Sequence, residues 1–293
     1  MTFEFSTEAS AAASHLAELS LREDLAGLGD LTSEATIPEQ LSAAVRIVGR
    51  QAGVLAGIGV IPLVFRHLPG RVRAEVYVAD GEEVEAGTVV AELHGPVRTL
   101  LTGERTVLNF LTHLSGIATR TAEFVRAVRG TSARILDTRK TLPGYRLLQK
   151  YAVRCGGGHN HRLGLYDGML IKDNHLAARG ASSCAGAVRA AREYLRGRDL
   201  SVPVEIEVDT LEQLRDALSE HPELVLLDNM SPEMLCQAVA IRNEQAPRTQ
   251  LEASGGVNLH TVRAIAETGV DRISVGSLTH SSPSLDLAFD WPW

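Results

Sequence analysis

The spacing of apolar residues changes character near residue 115. Before it, short stretches alternate apolar and polar positions: Val45 to Val48, Val72 to Val78 and Thr88 to Leu93. Asp80-Gly81 and Gly95-Pro96 separate them as turns. An Ala-rich stretch (Ala9, Ala11, Ala12, Ala13, Leu16, Leu19) reads as a leading helix. The pattern predicts an α/β sandwich, with a helix or two covering a small sheet. A long helical pattern then runs from about Val97 to Val128; it carries Arg105, and Gly116 is the place where it would loosen. From Ala133 onward the rhythm is strand, loop, helix, repeated. The strand candidates are Ala133–Leu136, Met169–Ile171, Val204–Val208, Leu224–Leu227, Gln250–Glu252 and Arg272–Val275. Amphipathic stretches such as Leu211–Leu218, Pro232–Arg242 and Leu259–Thr268 lie between them. Such alternation predicts right-handed parallel βαβ units. Six or seven of them make a TIM-like barrel, complete or not. The expected domains are 1–115 (sandwich), 116–280 (α/β barrel of about seven strands) and a segment 281–293 packing back on the first domain.

The chemistry gathers where the strands end. Asp137-Thr138-Arg139-Lys140, Lys172-Asp173-Asn174-His175, Glu207, Asp228-Asn229, Ser254-Gly255-Gly256 and Gly276-Ser277 each follow a strand candidate. Barrel sites lie at that face because the loops there surround one mouth. One polar strand end is unremarkable; six on successive strands predict a site.

Composition narrows the partners. No run of eighteen apolar residues occurs, which predicts no membrane span. The first basic residue is Arg22 and no apolar run precedes it, so the start does not read as a secretory signal. Cys155, Cys184 and Cys236 are far apart and form no CxxC pair, the pattern of reduced thiols in a cytoplasm. A net charge of −7 argues against nucleic acid. Against this acidic background the distribution of lysine matters. Of 29 basic residues only Lys140, Lys150 and Lys172 are lysines. All three fall in one stretch with Arg134, Arg139, Arg146, Arg154, Arg162, His159, His161 and His175. Planar guanidinium forks beside compact ammonium groups suit a small ligand with several negative charges.

Three groups of residues carry the expected chemistry. Thr138, Arg139, Lys140, His161, Arg162 and Lys172 would hold an anion, and a substrate with two carboxylates fits. A lone histidine such as His161 is as often structural as ligand-binding. Glu207 and Asp228 end parallel strands and can hold Mg²⁺ through its waters or accept ribose hydroxyls; the competing reading is a structural ion pair with the lysines. Glu205 sits deeper and reads as a structural partner of a site cation. Ser254-Gly255-Gly256 and Val275-Gly276-Ser277 are late strand-to-helix turns, where main-chain N–H groups and a helix N-terminus can receive a phosphate. Two other segments read as structural. The hairpin Asp80 to Gly87 looks like a lipoyl or biotinyl turn but has no lysine. Gly156-Gly157-Gly158 follows a helical stretch and reads as a helix stop and loop.

Taken in order, Asp137 to Thr141, Gly156 to Gly158, Asn160-His161-Arg162, Ile171 to His175, Glu205 to Val208, Leu227-Asp228-Asn229, Ser254 to Gly256 and Val275-Gly276 resemble the quinolinate phosphoribosyltransferase family. The likeness extends to Arg22-Glu23-Asp24 and Gly29 to Thr32. It implies a cytoplasmic, Mg²⁺-dependent transfer of phosphoribosyl from phosphoribosyl pyrophosphate to quinolinate, with loss of carbon dioxide. It implies a homodimer or larger assembly, with a sandwich domain covering the partner's open seven-stranded barrel. Quinolinate would be bound by Arg139, Lys140, His161, Arg162 and Lys172, with Arg105 reaching in from the neighbouring subunit. Phosphoribosyl pyrophosphate and Mg²⁺ would lie near Glu207 and Asp228. The 5-phosphate would sit on Ser254 to Gly256 and Val275 to Ser277, with His280 nearby. Lys140, Glu207 and Asp228 are the implied catalytic residues. Tyr145, His159 and Ser277 depart from the family pattern. Two alternatives stand beside this reading: a related transferase acting on another base such as nicotinate, and a non-catalytic barrel that senses a phosphorylated metabolite.

Overall fold

The computed structural model describes residues 3–180 and 183–293. It divides into two compact units by a partition that crosses the chain several times. The first comprises Met1–Ala122, Thr141–Gly157 and Ser277–Trp293; the second comprises Glu123–Lys140 and Gly158–Gly276.

In the first unit the leading helix, Thr7–Leu25, is capped by Ser6, whose Oγ accepts the Ala9 N–H at 3.1 Å. Ala9, Ala13, Ala17 and Leu21 recur every four residues and are buried. Three small side chains in that stripe let the helix lie close to Val60–Phe65. The sheet is antiparallel, in the order Leu287–Asp290, Ser42–Gly49, Val89–Pro96, Arg73–Val76. Its inner positions Val45, Ile47, Val90 and Leu93 are buried. The Asp80-Gly81 turn is structural: Asp80 is buried and accepts the Ile58 N–H at 3.0 Å and the Tyr151 hydroxyl at 2.6 Å.

The long helix, Val97–Ala127, runs unbroken through Gly116. A Cβ at Gly116 would lie 2.1 Å from the Pro283 carbonyl oxygen, so the glycine admits a neighbouring main chain and leaves the helix intact. The three-glycine run does end the helix Arg146–Cys155: Gly157 has φ +82°. Gly156 has a packing reason as well, since a Cβ there would meet the Ala118 carbonyl oxygen at 2.3 Å. That helix carries Arg146, Lys150 and Arg154, and Lys150 is fully buried in the first unit. The lysine-rich stretch of sequence is therefore divided between the two units.

The second unit is built on a six-stranded parallel sheet. Its order is Arg134–Leu136, Arg272–Ser274, Gln250–Ser254, Leu224–Asp228, Val204–Val208, Met169–Ile171. From Met169–Ile171 to Arg272–Ser274 the strands consecutive in sequence are neighbours, and Arg134–Leu136 lies beside the last of them; Arg134–Leu136 and Met169–Ile171, the first two in sequence, are not paired. The helices Cys184–Gly197, Leu211–Leu218, Pro232–Gln245 and Val262–Glu267 alternate with these strands. The described residues thus hold six strands in this sheet, not seven. The segment after Gly158 begins a further pairing, with His159 bridged to Leu136. It then turns away, because the buried Asp137 carboxylate takes the next polar groups: the His161 N–H at 2.9 Å and the Asn160 side chain at 2.6 Å. Among the described residues no helix is long and apolar enough to cross a membrane.

Replacing Gly116 with Ala should destabilise the protein, because overpacking against main chain costs about 1–3 kcal/mol. Gly197→Ala, with nothing within 4 Å of the added methyl group, is the control and should be neutral or slightly stabilising. Denaturant midpoints of the two variants decide; equal midpoints would show that the Pro283 contact is not a constraint.

Candidate active site

Neighbouring residues of a parallel sheet in register point to the same face, and the pleat brings every second residue back to it. The register places Glu207, Leu226 and Glu252 in one row across three strands, and Asp228 with Ser254 in the row above. These five residues line one cavity of about 400 Å³ in the second unit. The loops after the strands add Thr138, Arg139, Lys140, His161, Arg162 and Lys172, and Leu170 and Ser274 complete the wall. Nine residues singled out from the sequence therefore share this cavity: Thr138, Arg139, Lys140, His161, Arg162, Lys172, Glu207, Asp228 and Ser254.

The cationic side is poised for an anion. Arg139 Nε is buried without a hydrogen-bond partner. Arg162 uses Nη1 to hold the Gly168 carbonyl at 2.9 Å. Burial and then the neighbouring Arg139 charge hold Arg162 below its ordinary pKa. Two guanidinium groups brought together in this way favour an anion between them. Lys140 is exposed at the mouth, and its N–H is held by Thr138 Oγ1 at 3.1 Å.

The acidic side is partly engaged. Glu207 is paired with Lys172, so the structural ion pair weighed against a site role does form. Asp228 accepts the Asn229 side-chain N–H at 2.7 Å through one oxygen. Asn229 adopts a left-handed conformation, φ +54°, and its Oδ1 lies 2.1 Å from where a Gly255 Cβ would be. Gly255 and Gly256 follow Ser254 with φ +94° and +60°. The next helix starts only at Val262, so its N-terminus does not directly follow the glycine turn.

Beneath the cavity lies a buried charged network. His161 Nε2 is 3.1 Å from Glu205 and 3.3 Å from Glu252, and Arg272 Nε pairs with Glu252 as an ion pair at 2.8 Å. Burial alone disfavours charge on His161; hydrogen bonds to the two glutamates outweigh it and push it up to about 9. Burial raises Glu205, while His161 offsets part of that shift. Glu252 is also buried, but His161, Arg272 and Ser274 hold it below the usual carboxylate range. His161, Glu205 and Glu252 lie close enough together to hold a metal ion. A ring N–H shared between the carboxylates accounts for their closeness without one.

The remaining expected residues lie elsewhere. Val275 is buried, with Gly276 next to it in the second unit. Ser277 and His280 begin and end a four-residue helix of the first unit, and Arg105 is an exposed residue of its long helix. Sequence reasoning missed Glu252, Ser274 and Arg272. The available signal was the cost of ionised groups inside central parallel strands, which demands buried partners.

The chain matches the sequence profile of the quinolinate phosphoribosyl transferase N-terminal domain over residues 30–115 and that of its C-terminal domain over 117–290. It is 48% identical over 272 residues to the nicotinate-nucleotide pyrophosphorylase (carboxylating) of Mycobacterium leprae, covering 92% of this chain and 94% of the relative. It is 43% identical over 268 residues to the probable nicotinate-nucleotide pyrophosphorylase (carboxylating) of Bacillus subtilis, covering 92% and 89%. The solved nicotinate-nucleotide pyrophosphorylase of Francisella tularensis superposes with a TM-score of 0.89 at 38% identity, covering 96% of each chain.

Glu252→Ala should cost about 3–5 kcal/mol, because it leaves Arg272 without its buried carboxylate and removes one of the two that face His161. Arg22→Ala, at an exposed pair with Glu18, should shift stability little. Urea unfolding of both measures the difference; a Glu252 variant as stable as wild type would remove the network from the account of the fold.

Proposed function

The chain belongs to the quinolinate phosphoribosyltransferase family, and from that premise we propose that it transfers phosphoribosyl from phosphoribosyl pyrophosphate to quinolinate with decarboxylation. The products are nicotinate mononucleotide, pyrophosphate and carbon dioxide, a step of NAD biosynthesis. The observation that carries this reading is one cavity with Arg139, Lys140, Arg162 and Lys172 on one side and Glu207 and Asp228 on the other. A sensor of phosphorylated metabolites would have no use for that acidic pair. A single carboxylate, as on nicotinate, would leave part of the cationic side unbalanced.

In this reading the arginines and lysines bind the two carboxylates of quinolinate and orient its ring nitrogen toward the anomeric carbon. The nitrogen–carbon bond forms as the bond to pyrophosphate breaks, and positive charge develops on the ribose. Glu207 and Asp228 stabilise that charge. The positive nitrogen then stabilises the electron pair that stays on the adjacent ring carbon when its carboxylate departs as carbon dioxide, and that carbon takes up a proton. Lys140 or one of its cationic neighbours positions that carboxylate. The carboxylates of Glu207 and Asp228 have the hard oxygen chemistry that suits Mg²⁺. Bound there, the ion would neutralise pyrophosphate as it leaves. The parallel sheet, with its first and last strands adjacent, is read as an open barrel. The Ser254 to Gly256 turn is read as receiving the 5-phosphate, with Val275 to Ser277 and His280 contributing. The assembly is a cytoplasmic homodimer in which Arg105 completes the partner's site.

Arg162→Ala should raise the KM for quinolinate at least about tenfold, the effect of losing one charge-assisted bond, and change that for phosphoribosyl pyrophosphate much less. Equal weakening of both substrates, in steady-state kinetics, would break the assignment of the cationic side. Sharing of Arg105 is tested by mixing inactive Arg105→Ala and Asp228→Ala chains by co-expression. Each mixed dimer would have one site free of both changes, so activity should return to roughly a quarter of wild type. Mixed dimers that form but stay inactive would place Arg105 in its own chain's site.

A further inference from the structure

We propose that Asp167 is a positioning residue for Arg162: it closes the loop from which Arg162 reaches the cavity, and acts on the ligand only through that guanidinium. Asp167 is the one acid between Gly158 and Lys172, within the cationic part of the sequence. It does not line the cavity, whereas Arg162 does. The segment from Arg162 to Gly168 is neither helix nor strand, and side chains close it from both ends. The Arg162 guanidinium crosses the loop and donates through Nη1 to the Gly168 carbonyl at 2.9 Å. The Asp167 carboxylate crosses in the opposite direction. Its Oδ2 accepts the Leu163 N–H at 2.7 Å and its Oδ1 the Gly164 N–H at 2.8 Å. Hydrogen bonds to an ionised acceptor are short and strong. The far end of the loop is tied separately, because Met169 donates its N–H to the Pro203 carbonyl at 2.9 Å as the strand Met169–Ile171 begins. Asp167 therefore ties the start of the loop to an end that the sheet already fixes.

The rest of the loop fits this purpose. A Cβ at Gly164 would lie 2.5 Å from the Tyr166 ring, so the turn that the carboxylate closes leaves no room for a side chain there. Leu165 and Tyr166 at the tip are exposed, 72% and 75%, so burial of the tip does not hold the loop. Without the carboxylate the start of the loop could open and carry the guanidinium with it. Restraint before binding matters because ordering a long side chain on binding lowers affinity. The charge of Asp167 acts in the same direction. Burial and then Arg139 disfavour the charged form of Arg162, and Glu205 and Asp167 offset part of this. An asparagine would not serve, because its amide has a single acceptor oxygen and its NH₂ group would face the second N–H.

The consequence for quinolinate rests on the proposed function; the closure of the loop does not. Nitrogen-15 NMR of the full chain without substrate reads the closure. The Leu163 and Gly164 amide protons should exchange slowly with solvent in wild type, and about tenfold faster or more in Asp167→Asn. The Arg162 guanidinium, assigned by its loss in Arg162→Lys, should show restricted rotation in wild type and averaged resonances in Asp167→Asn. Amides that exchange alike in both proteins, or a guanidinium equally restrained in both, overturn the proposal. Steady-state kinetics give the second readout. Asp167→Asn should raise the quinolinate KM roughly three- to tenfold, the loss expected when one more side chain is ordered on binding, and change kcat and the KM for phosphoribosyl pyrophosphate less than about twofold. Asp167→Glu, which keeps both acceptors and the charge, should fall between wild type and Asp167→Asn. In the Asp167→Asn background, Arg162→Ala should raise the quinolinate KM less than it does in wild type, by more than about twofold. Strict additivity would mean that Asp167 does not act through Arg162, and the positioning role falls. Should Asp167→Asn fail to fold, fast exchange of the two amides in wild type still overturns the closure, and Asp167→Glu carries the kinetics. If the loop is closed as stated but wild-type protein turns over no quinolinate, the proposed function fails while the role of Asp167 toward Arg162 stands.

Discussion

Two glutamates, Glu205 and Glu252, are buried inside central strands of a parallel sheet, where side chains are ordinarily apolar. An isolated carboxylate there would be neutralised or expelled. The chain answers with Arg272, in register beside Glu252, and with His161, brought in on the loop after Gly158. The geometry of that loop is therefore set by charge compensation under the sheet face. Asp137 repeats the logic at a smaller scale, since its buried carboxylate selects the main chain of His161 and ends the pairing begun at His159. The cavity above inherits the result: Arg162 is where it is because of what lies beneath it.

The upper layer shows how the sheet's period divides labour. On Gln250–Ser254 the inward positions are Glu252 and Ser254; on Leu224–Asp228 they are Leu226 and Asp228; on Val204–Val208 they are Glu205 and Glu207. One step toward the C-terminal end of each strand exchanges a buried structural group for one that meets solvent and ligand. Glu205 belongs to the network and Glu207 to the cavity. The two share a side of the strand but differ in side-chain exposure, 4% for Glu205 against 12% for Glu207. That gradient lets neighbouring carboxylates of identical chemistry hold different partners, His161 for one and Lys172 for the other.

Much of this was legible in the sequence, for a physical reason. Parallel strands are short apolar runs, and where they end the first polar residues face one mouth; Thr138, Lys172, Glu207, Asp228 and Ser254 follow that rule, while Asp137 turns out to be buried. Glu205 was recognised as the partner of a site cation because a charge within an apolar run needs one. Glu252 was missed although the same rule applied, since the strand pattern was ended at that residue while the strand continues to Ser254. Lysine usage misled in one case. Lys150 lies near the others along the chain, but the helix it sits on belongs to the first unit, where its side chain is buried. Gly116 misled for a related reason. Its helix is kept whole by packing against Pro283, a partner 167 positions away that no local pattern reveals.

The paired glycines after Ser254 carry a more general lesson about reading phosphate sites. Gly255 and Gly256 look alike in sequence, yet different causes require them. A side chain at Gly255 would collide with Asn229 Oδ1. That amide is held in place by its own left-handed backbone, by its N–H to the Ser254 carbonyl at 2.9 Å and by its bond to Asp228. Gly255 is thus a consequence of how Asp228 is oriented, and would be needed whether or not a phosphate ever bound. Gly256 has open space around it and φ +60°, so packing does not explain it. The case for close approach of a ligand to this turn therefore rests on Gly256 alone. The two strand ends that would hold the sugar and its phosphate are coupled through Asn229, and neither can shift without disturbing the other.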